Sequence, residues 1–153
     1  MDTPAQALEK LKHFCSYRDR AHSEVKDKLK QLGIREGDAN DIMATLITGD
    51  YLNEERFARS FARGKFRIKK WGRKKIIQAL KSKNVSPYCI RRGLEEIDED
   101  EYRQILARLA SDKYSLLKNE QYLNRKYKTM QYLLAKGYEA DLVGETVRKL
   151  QQK

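Results

Sequence analysis

Lysines and arginines are concentrated in one stretch of the sequence, which reads "RFARSFARGKFRIKKWGRKK" from Arg56. Its twenty residues include ten Lys or Arg and no Asp or Glu. Guanidinium and ammonium groups concentrated in this way bind anions, such as the phosphates of a nucleic acid or an acidic groove of a protein. The chemistry that the stretch predicts is therefore the binding of a polyanion rather than a reaction. A merely solvated helix face is the alternative.

The positive charge of the chain is local. Residues 1–55 carry 8 basic and 11 acidic side chains, residues 56–92 carry 14 basic and no acidic ones, and residues 93–153 carry 11 of each. The middle of the chain thus supplies more than the whole net charge of +11. This distribution indicates one positive surface rather than a generally basic protein.

Motifs of catalysis and of metal binding are missing from the sequence. It contains no glycine-rich phosphate loop, His13 and His22 stand apart from any ligand pattern, and Cys15 and Cys89 are distant single thiols. The acidic run "EEIDEDE" at 95–101 has no EF-hand loop, and we interpret it as the charged start of the next helix. We predict a non-enzymatic protein with no catalytic residue, cofactor or metal. The absence of a signal peptide and of a long apolar run predicts a cytoplasmic location away from membranes.

The basic side chains are spaced for one face of a helix that begins near Glu54. Five of them follow one another at steps of three or four residues: Arg56, Arg59, Arg63, Arg67 and Lys70. Phe57, Phe61 and Ile68 lie on another side, which we expect to face the core. Like charges at these spacings repel by about 0.2–0.5 kcal/mol per pair. A helix selected only for stability would include acids among them, so we interpret this face as a contact surface.

A repeated pattern predicts the elements that position this face. When Gly33, Asn84 and Gly137 are aligned, apolar residues coincide before and after them, including Leu29, Leu80 and Leu133. A Gly or Asn at the aligned position is typical of a helix that ends in the left-handed conformation. No strand-like alternation is present. We predict an all-α fold of three tandem three-helix repeats, over residues 1–50, 51–97 and 98–153, with the basic stretch in the second.

The aromatic residues allow two interpretations. Trp71, between two basic clusters, either stacks on a base or a partner side chain or packs where two helices meet, and we favour the packing role. The nine tyrosines are expected to fill seams between helices. Arg125, Lys126 and Lys128 form a second, weaker candidate for anion contact.

The stretch "YLNEERFARSFARGKFRIKKWGRKKIIQALKSKNV", residues 51–85, resembles the RecX family, regulators of the bacterial recombinase RecA. The matching positions are Tyr51, Leu52, Arg56, Phe57, Ala58, Trp71 and Gly72. Asn53 and Glu54 stand where the family usually has two aspartates, and both still suit a helix start. The early "CSYRDRAHSEVKDKLKQLGI" also resembles the family's first repeat, and the third repeat matches in pattern.

The resemblance implies a curved, elongated array that lies in the groove of the RecA–DNA filament as a monomer. It implies inhibition of RecA's ATPase, strand-exchange and co-protease activities. Single- and double-stranded DNA would be met directly or through the filament. The expected filament- or DNA-binding residues are Arg56, Arg59, Arg63, Lys65, Arg67, Lys69, Lys70, Arg73, Lys74 and Lys75. The alternative is a stand-alone DNA- or RNA-binding helical module that acts without a recombinase.

Overall fold

The computed structural model describes residues 1–152, and within this range it contains nine α-helices and no strand. The predicted all-α class is confirmed. The helices are α1 (Pro4–Tyr17), α2 (His22–Gln31), α3 (Glu36–Thr48), α4 (Glu54–Lys69), α5 (Arg73–Ser82), α6 (Pro87–Leu94), α7 (Glu99–Leu116), α8 (Tyr122–Ala135) and α9 (Ala140–Gln151).

Polar side chains begin the helices where the sequence predicts a start. The Asn53 side chain accepts a hydrogen bond of 2.9 Å from the amide of Arg56 at the start of α4. Ser86, just before the Pro87 that opens α6, accepts one of 3.2 Å from the amide of Cys89. Each bond satisfies one of the amide groups that a helix leaves unpaired in its first turn. The predicted starts at Asn53 and at Ser86–Pro87 are confirmed.

The three aligned turns share one backbone conformation. Gly33, Asn84 and Gly137 have φ angles of 75°, 60° and 100°, which are left-handed as the alignment predicts. The residue after each turn then donates its amide to the carbonyl of the aligned leucine: Ile34 to Leu29 at 3.1 Å, Val85 to Leu80 at 3.1 Å and Tyr138 to Leu133 at 3.2 Å. All three leucines are buried, so the repeated pattern corresponds to a repeated local structure.

The chain divides into two compact units. The first unit comprises Met1–Phe61 and Leu80–Leu94, and the second comprises Ala62–Ala79 and the residues from Glu95 onwards. The first unit is built on a core that includes Leu11, Val25, Leu29 and Leu46. In the second unit Phe66, Tyr102 and Tyr138 stack in sequence, with ring centroids 5.7 and 5.1 Å apart.

The side of α4 that is buried changes along the helix. Phe57 and Ala58 are buried in its first half, and Ala62 and Phe66 in its second half. The prediction that Ile68 faces the core with Phe57 is therefore wrong, because Ile68 is 79% exposed whereas Phe66 is 2% exposed. The two halves of α4 belong to different units, so one straight apolar stripe does not describe it.

The tyrosines do not, as a group, fill seams. Tyr102 and Tyr138 are fully buried, but several others are exposed: Tyr17, Tyr51, Tyr88, Tyr122 and Tyr127. The prediction is wrong for the exposed tyrosines. A phenol has a polar end that water solvates, so an exposed position costs little and the residue type alone does not locate a seam.

Candidate polyanion-binding site

The ten predicted contact residues lie on α4, on the turn after it and on α5. The structure divides them into those that are paired with carboxylates of the same chain and those that are not. The division decides which charges are available to a partner, because a guanidinium already paired in a fixed geometry has less to gain from a second anion.

Arg56 is the most fully paired of them. Within the first unit its Nε donates to a carboxylate oxygen of Asp19 at 2.6 Å, and its Nη1 donates to Asp50 at 3.1 Å. Its Nη2 donates to the carbonyl oxygens of Asp50 and Tyr51 at 3.1 and 3.3 Å. The hydrogen bond and charge of Asp19, helped by Asp50, raise the pKa of Arg56. This guanidinium joins α4 to the segments before α2 and after α3.

Arg59 and Arg63 are also paired, each within its own unit. In the first unit Arg59 Nε lies 3.1 Å from a Glu55 oxygen, one helical turn earlier. In the second unit Arg63 Nη1 lies 2.9 Å from a Glu96 oxygen. Both side chains remain partly exposed. They lie on the predicted face of α4, with much of their charge balanced by the two glutamates.

Arg73 is held by several contacts within the second unit. It forms ion pairs with Glu99 and Glu139, and its guanidinium carbon lies 3.8 Å from the centroid of the Tyr102 ring. Burial alone would lower the pKa of Arg73, but the hydrogen bond and charge of Glu139 outweigh burial and raise it. The Tyr102 hydroxyl accepts the amide of Arg73 at 3.0 Å and donates to Glu139. Arg73 therefore fixes the start of α5.

Five other residues of the set carry charge that no carboxylate balances in the described part of the chain. Five of the ten form no ion pair with a carboxylate within residues 1–152: Arg67, Lys69, Lys70, Lys74 and Lys75. They occupy the end of α4, the turn and the start of α5, all in the second unit. Arg67, Lys69 and Lys74 are exposed. We call these five residues the open basic patch.

Trp71 lies in the turn between the two helices of this patch. Its amide donates to the carbonyl of Lys65 at 3.1 Å, and its ring is half-buried. The Nζ atoms of Lys65 and Lys75 lie 4.9 and 4.7 Å from the ring centroid. The indole thus packs at a helix junction, as the favoured interpretation predicts. Its ring also forms cation–π contacts with two of the ten predicted contact residues.

Backbone hydrogen bonds hold this turn against the turn between α8 and α9. The amide of Gly72 donates to the Lys136 carbonyl at 2.8 Å, and the amide of Lys74 donates to the Gly137 carbonyl at 2.9 Å. The Tyr138 hydroxyl donates to the Lys70 carbonyl at 2.9 Å. Lys136, which sequence reasoning missed, thereby comes to lie beside the open basic patch. Its position depends on a pairing of residues far apart in the chain, for which the sequence carries no local signal.

The acidic run at 95–101 serves the fold. Asp98 accepts the amide of Glu101 at 2.9 Å and so caps α7, as the interpretation of a charged helix start requires. Glu96 pairs with Arg63, and Glu99 with Arg73 and Arg103. Within residues 1–152 no group of three or more His, Cys, Asp or Glu side chains is placed to hold a metal ion.

The second candidate patch is partly used inside the chain. Arg125 donates to the Tyr114 carbonyl at 2.8 Å and lies 3.5 Å from the centroid of that ring. Lys128 pairs with Glu120.

None of the helices in the described range is both long and apolar enough to cross a membrane.

These features define the class: an all-α protein made of small helical domains, with one localised basic surface. Two family models match the chain, "RecX, second three-helix domain" over residues 53–94 and "RecX, third three-helix domain" over residues 99–147. The chain belongs to the RecX family, as the resemblance at residues 51–85 predicts.

Similar proteins extend over nearly the whole chain. "Regulatory protein RecX" of Clostridium perfringens strain 13 is 33% identical over 135 residues, which cover 86% of this chain and 62% of that protein. The Prosthecochloris aestuarii protein of the same name is 28% identical over 145 residues, which cover 95% of this chain and 93% of that protein. The crystal structure of RecX from Lactobacillus salivarius superposes with a TM-score of 0.88 at 25% identity and covers 98% of this chain and 97% of that one. The chain spans about three fifths of the Clostridium relative's length.

Proposed function

We propose that this protein is a non-enzymatic inhibitor of the RecA recombinase. It binds in the groove of the RecA–DNA filament and suppresses the ATPase, strand-exchange and co-protease activities of RecA. Membership of the RecX family carries this proposal, since the relatives are named regulatory proteins and not enzymes. The proposed protein acts as a monomer in the cytoplasm, where it meets filaments formed on single- or double-stranded DNA.

The charge distribution supports a physical basis for the binding. A recombinase filament on DNA combines phosphates with the acidic side chains of a protein, and a localised positive surface is drawn to both. In this proposal the open basic patch and Lys65 make the contacts. Arg56, Arg59, Arg63 and Arg73 contribute to the same field, while their main role is to hold α4 and α5 in place. Screening by salt should weaken the attraction.

A stand-alone nucleic-acid-binding module is the second candidate. The open basic patch favours it, because lysines and arginines that have no carboxylate partner within residues 1–152 would bind any phosphate backbone. The two functions differ in what they require of the partner. A regulator gains contacts from the recombinase, whereas a simple module binds bare DNA at least as well as it binds a filament.

The test compares the two ligands directly. Fluorescence anisotropy would measure binding to a labelled oligonucleotide alone and to the same oligonucleotide covered by RecA, with a non-hydrolysable ATP analogue to keep the filament intact. The proposed regulator binds the filament more tightly at equal salt. Equal or weaker affinity for the filament would favour the stand-alone module.

A further inference from the structure

Lysines and aromatic rings alternate across the second unit. Four ammonium groups lie around two rings: Lys65 and Lys75 at 4.9 and 4.7 Å from the Trp71 centroid, and Lys113 and Lys136 at 5.0 and 5.7 Å from the Tyr132 centroid. We call these six residues the lysine–aromatic row. Its first half belongs to the basic stretch, but its second half comes from α7, α8 and the turn after α8 and was not predicted to bind anything.

The two halves of the row adjoin. The turn that contains Lys136 is hydrogen-bonded to the turn that contains Gly72, and the Nζ of Lys136 donates to the Lys69 carbonyl at 3.2 Å. Burial, and then the nearby charge of Lys75, lower the pKa of Lys136. Two ammonium groups of the row are thus close enough to repel each other.

Nothing in the described part of the chain neutralises the middle and far end of the row. Lys75, Lys113 and Lys136 form no ion pair with a carboxylate within residues 1–152. By contrast, Lys128 on α8 pairs with Glu120, so acids are available where the fold uses them. A contact between an ammonium and the face of a ring restrains the lysine without using up its hydrogen-bond donors. Lys75, Lys113 and Lys136 are therefore restrained cations that keep hydrogen-bond donors for a ligand.

We propose that the lysine–aromatic row is a track for the phosphate backbone of a single-stranded nucleic acid. Lys113, Tyr132 and Lys136 then extend the binding surface beyond the basic stretch. A flexible strand can follow cations set around successive rings, which a stiff duplex cannot do. The inference rests on the proposed function only in sharing Lys65 and Lys75 as contact residues, and it names the chemistry that this surface takes.

The experiment uses the full chain without recombinase. The probe is a fluorescein-labelled oligothymidylate of about 16 nucleotides, the upper range of one single-strand site, beside a duplex of equal length. The test variant is Lys113→Gln/Lys136→Gln. Its matched control is Lys26→Gln/Lys30→Gln, which removes two exposed lysines from α2 that have no ion pair in the described chain. Melting temperatures establish that both variants are folded.

The row predicts a specific change in salt dependence. Loss of two phosphate contacts should make the slope of log K against log salt less negative by about 1.4 for a single strand and should weaken binding about 25-fold near 0.1 M salt. The control should weaken binding less than twofold. Tyr132→Leu should weaken binding severalfold, whereas Tyr132→Phe, which keeps the ring, should not.

Three outcomes would overturn the inference. They are a test variant that binds the oligothymidylate as well as its control does, a duplex bound more tightly than the single strand, and a loss of RecA inhibition by the test variant with oligothymidylate affinity unchanged. The last would show that the row contacts protein, and it would leave the proposed function standing. Conversely, a wild-type chain that binds the single strand through the row but leaves RecA uninhibited would support the row and contradict the proposed function.

Discussion

Gly72 and Gly137 lie backbone against backbone. The Gly72 amide donates to the carbonyl just before Gly137, at 2.8 Å, and a Cβ on Gly72 would lie 2.3 Å from the carbonyl carbon of Gly137. Gly137 also has a φ of 100°, which a side chain would strain. This close backbone contact holds the turn of the open basic patch against the turn between α8 and α9. The placement of the charges therefore requires glycine at both positions.

Gly72→Ala should therefore destabilise the protein by about 2 kcal/mol or more, because the methyl group would meet backbone atoms that cannot move aside. Gly144→Ala is the matched control. Nothing lies within 4 Å of a Cβ at Gly144, inside α9, so alanine should stabilise the helix by about 0.5–1 kcal/mol. Urea unfolding curves measure both changes. If the two variants were equally stable, the backbone contact between Gly72 and Gly137 would not require a glycine at position 72.

Arg56→Ala should lower the free energy of unfolding by about 1.5–3 kcal/mol, because Asp19 and two backbone carbonyls lose a charged donor. Arg56→Lys should recover little of this, since an ammonium group lacks the planar fork. Arg67→Ala, at an exposed position without a carboxylate partner, should change stability by less than about 0.5 kcal/mol. Thermal melts distinguish the roles. An unchanged melting temperature for Arg56→Ala would make Arg56 a contact residue after all.

Tyr102→Phe should cost about 1–3 kcal/mol at neutral pH, because the Arg73 amide and Glu139 lose their hydroxyl partner. Burial, and then the hydrogen bond to Glu139, raise the pKa of Tyr102 far above its ordinary value. The tyrosine of the unfolded chain ionises near pH ~10 while the folded one stays protonated, so its contribution is complete below that pH and is lost above it. The stability difference between wild type and Tyr102→Phe should thus narrow above pH ~10. A constant difference would contradict the burial of this hydroxyl.

Lys74→Glu should separate stability from function. Lys74 is the second residue of α5, whose first turn contains no acid, and a positive charge there opposes the helix dipole. Glutamate should stabilise the fold by about 0.3–1 kcal/mol and at the same time weaken inhibition of RecA. Lys81→Glu, in the last turn of the same helix, should slightly destabilise the fold and leave inhibition nearly unchanged. Melting curves measure the change in stability of both variants, and ATPase assays measure their inhibition of RecA. Full inhibition by Lys74→Glu would show that Lys74 does not belong to the contact surface.

Local features of the fold could be predicted from the sequence because their causes are local. Asn53 and Ser86 begin helices through hydrogen bonds to amides three residues away, and the left-handed turns at Gly33, Asn84 and Gly137 follow from residue type. The concentration of charge could also be predicted, since it needs only counting. That the chain is all-α follows from the same helical periods.

The internal pairing of the site could not be predicted. Arg56 meets Asp19 and Arg73 meets Glu139 across 37 and 66 residues, and no spacing rule connects such partners. For the same reason Lys136 could not be placed beside the open basic patch. Ile68 was placed wrongly because α4 buries different sides along its length. The three-repeat boundaries and the contact residues stay predictions.

Whether the protein regulates the filament is decided by RecA's DNA-dependent ATPase, titrated with this protein at several concentrations of single-stranded DNA. We predict inhibition at protein levels well below those that coat the DNA, with a midpoint that follows the number of filaments and not the total DNA. Inhibition only at DNA-saturating levels, relieved by extra bare DNA, would contradict regulation of the filament and would leave simple competition for DNA.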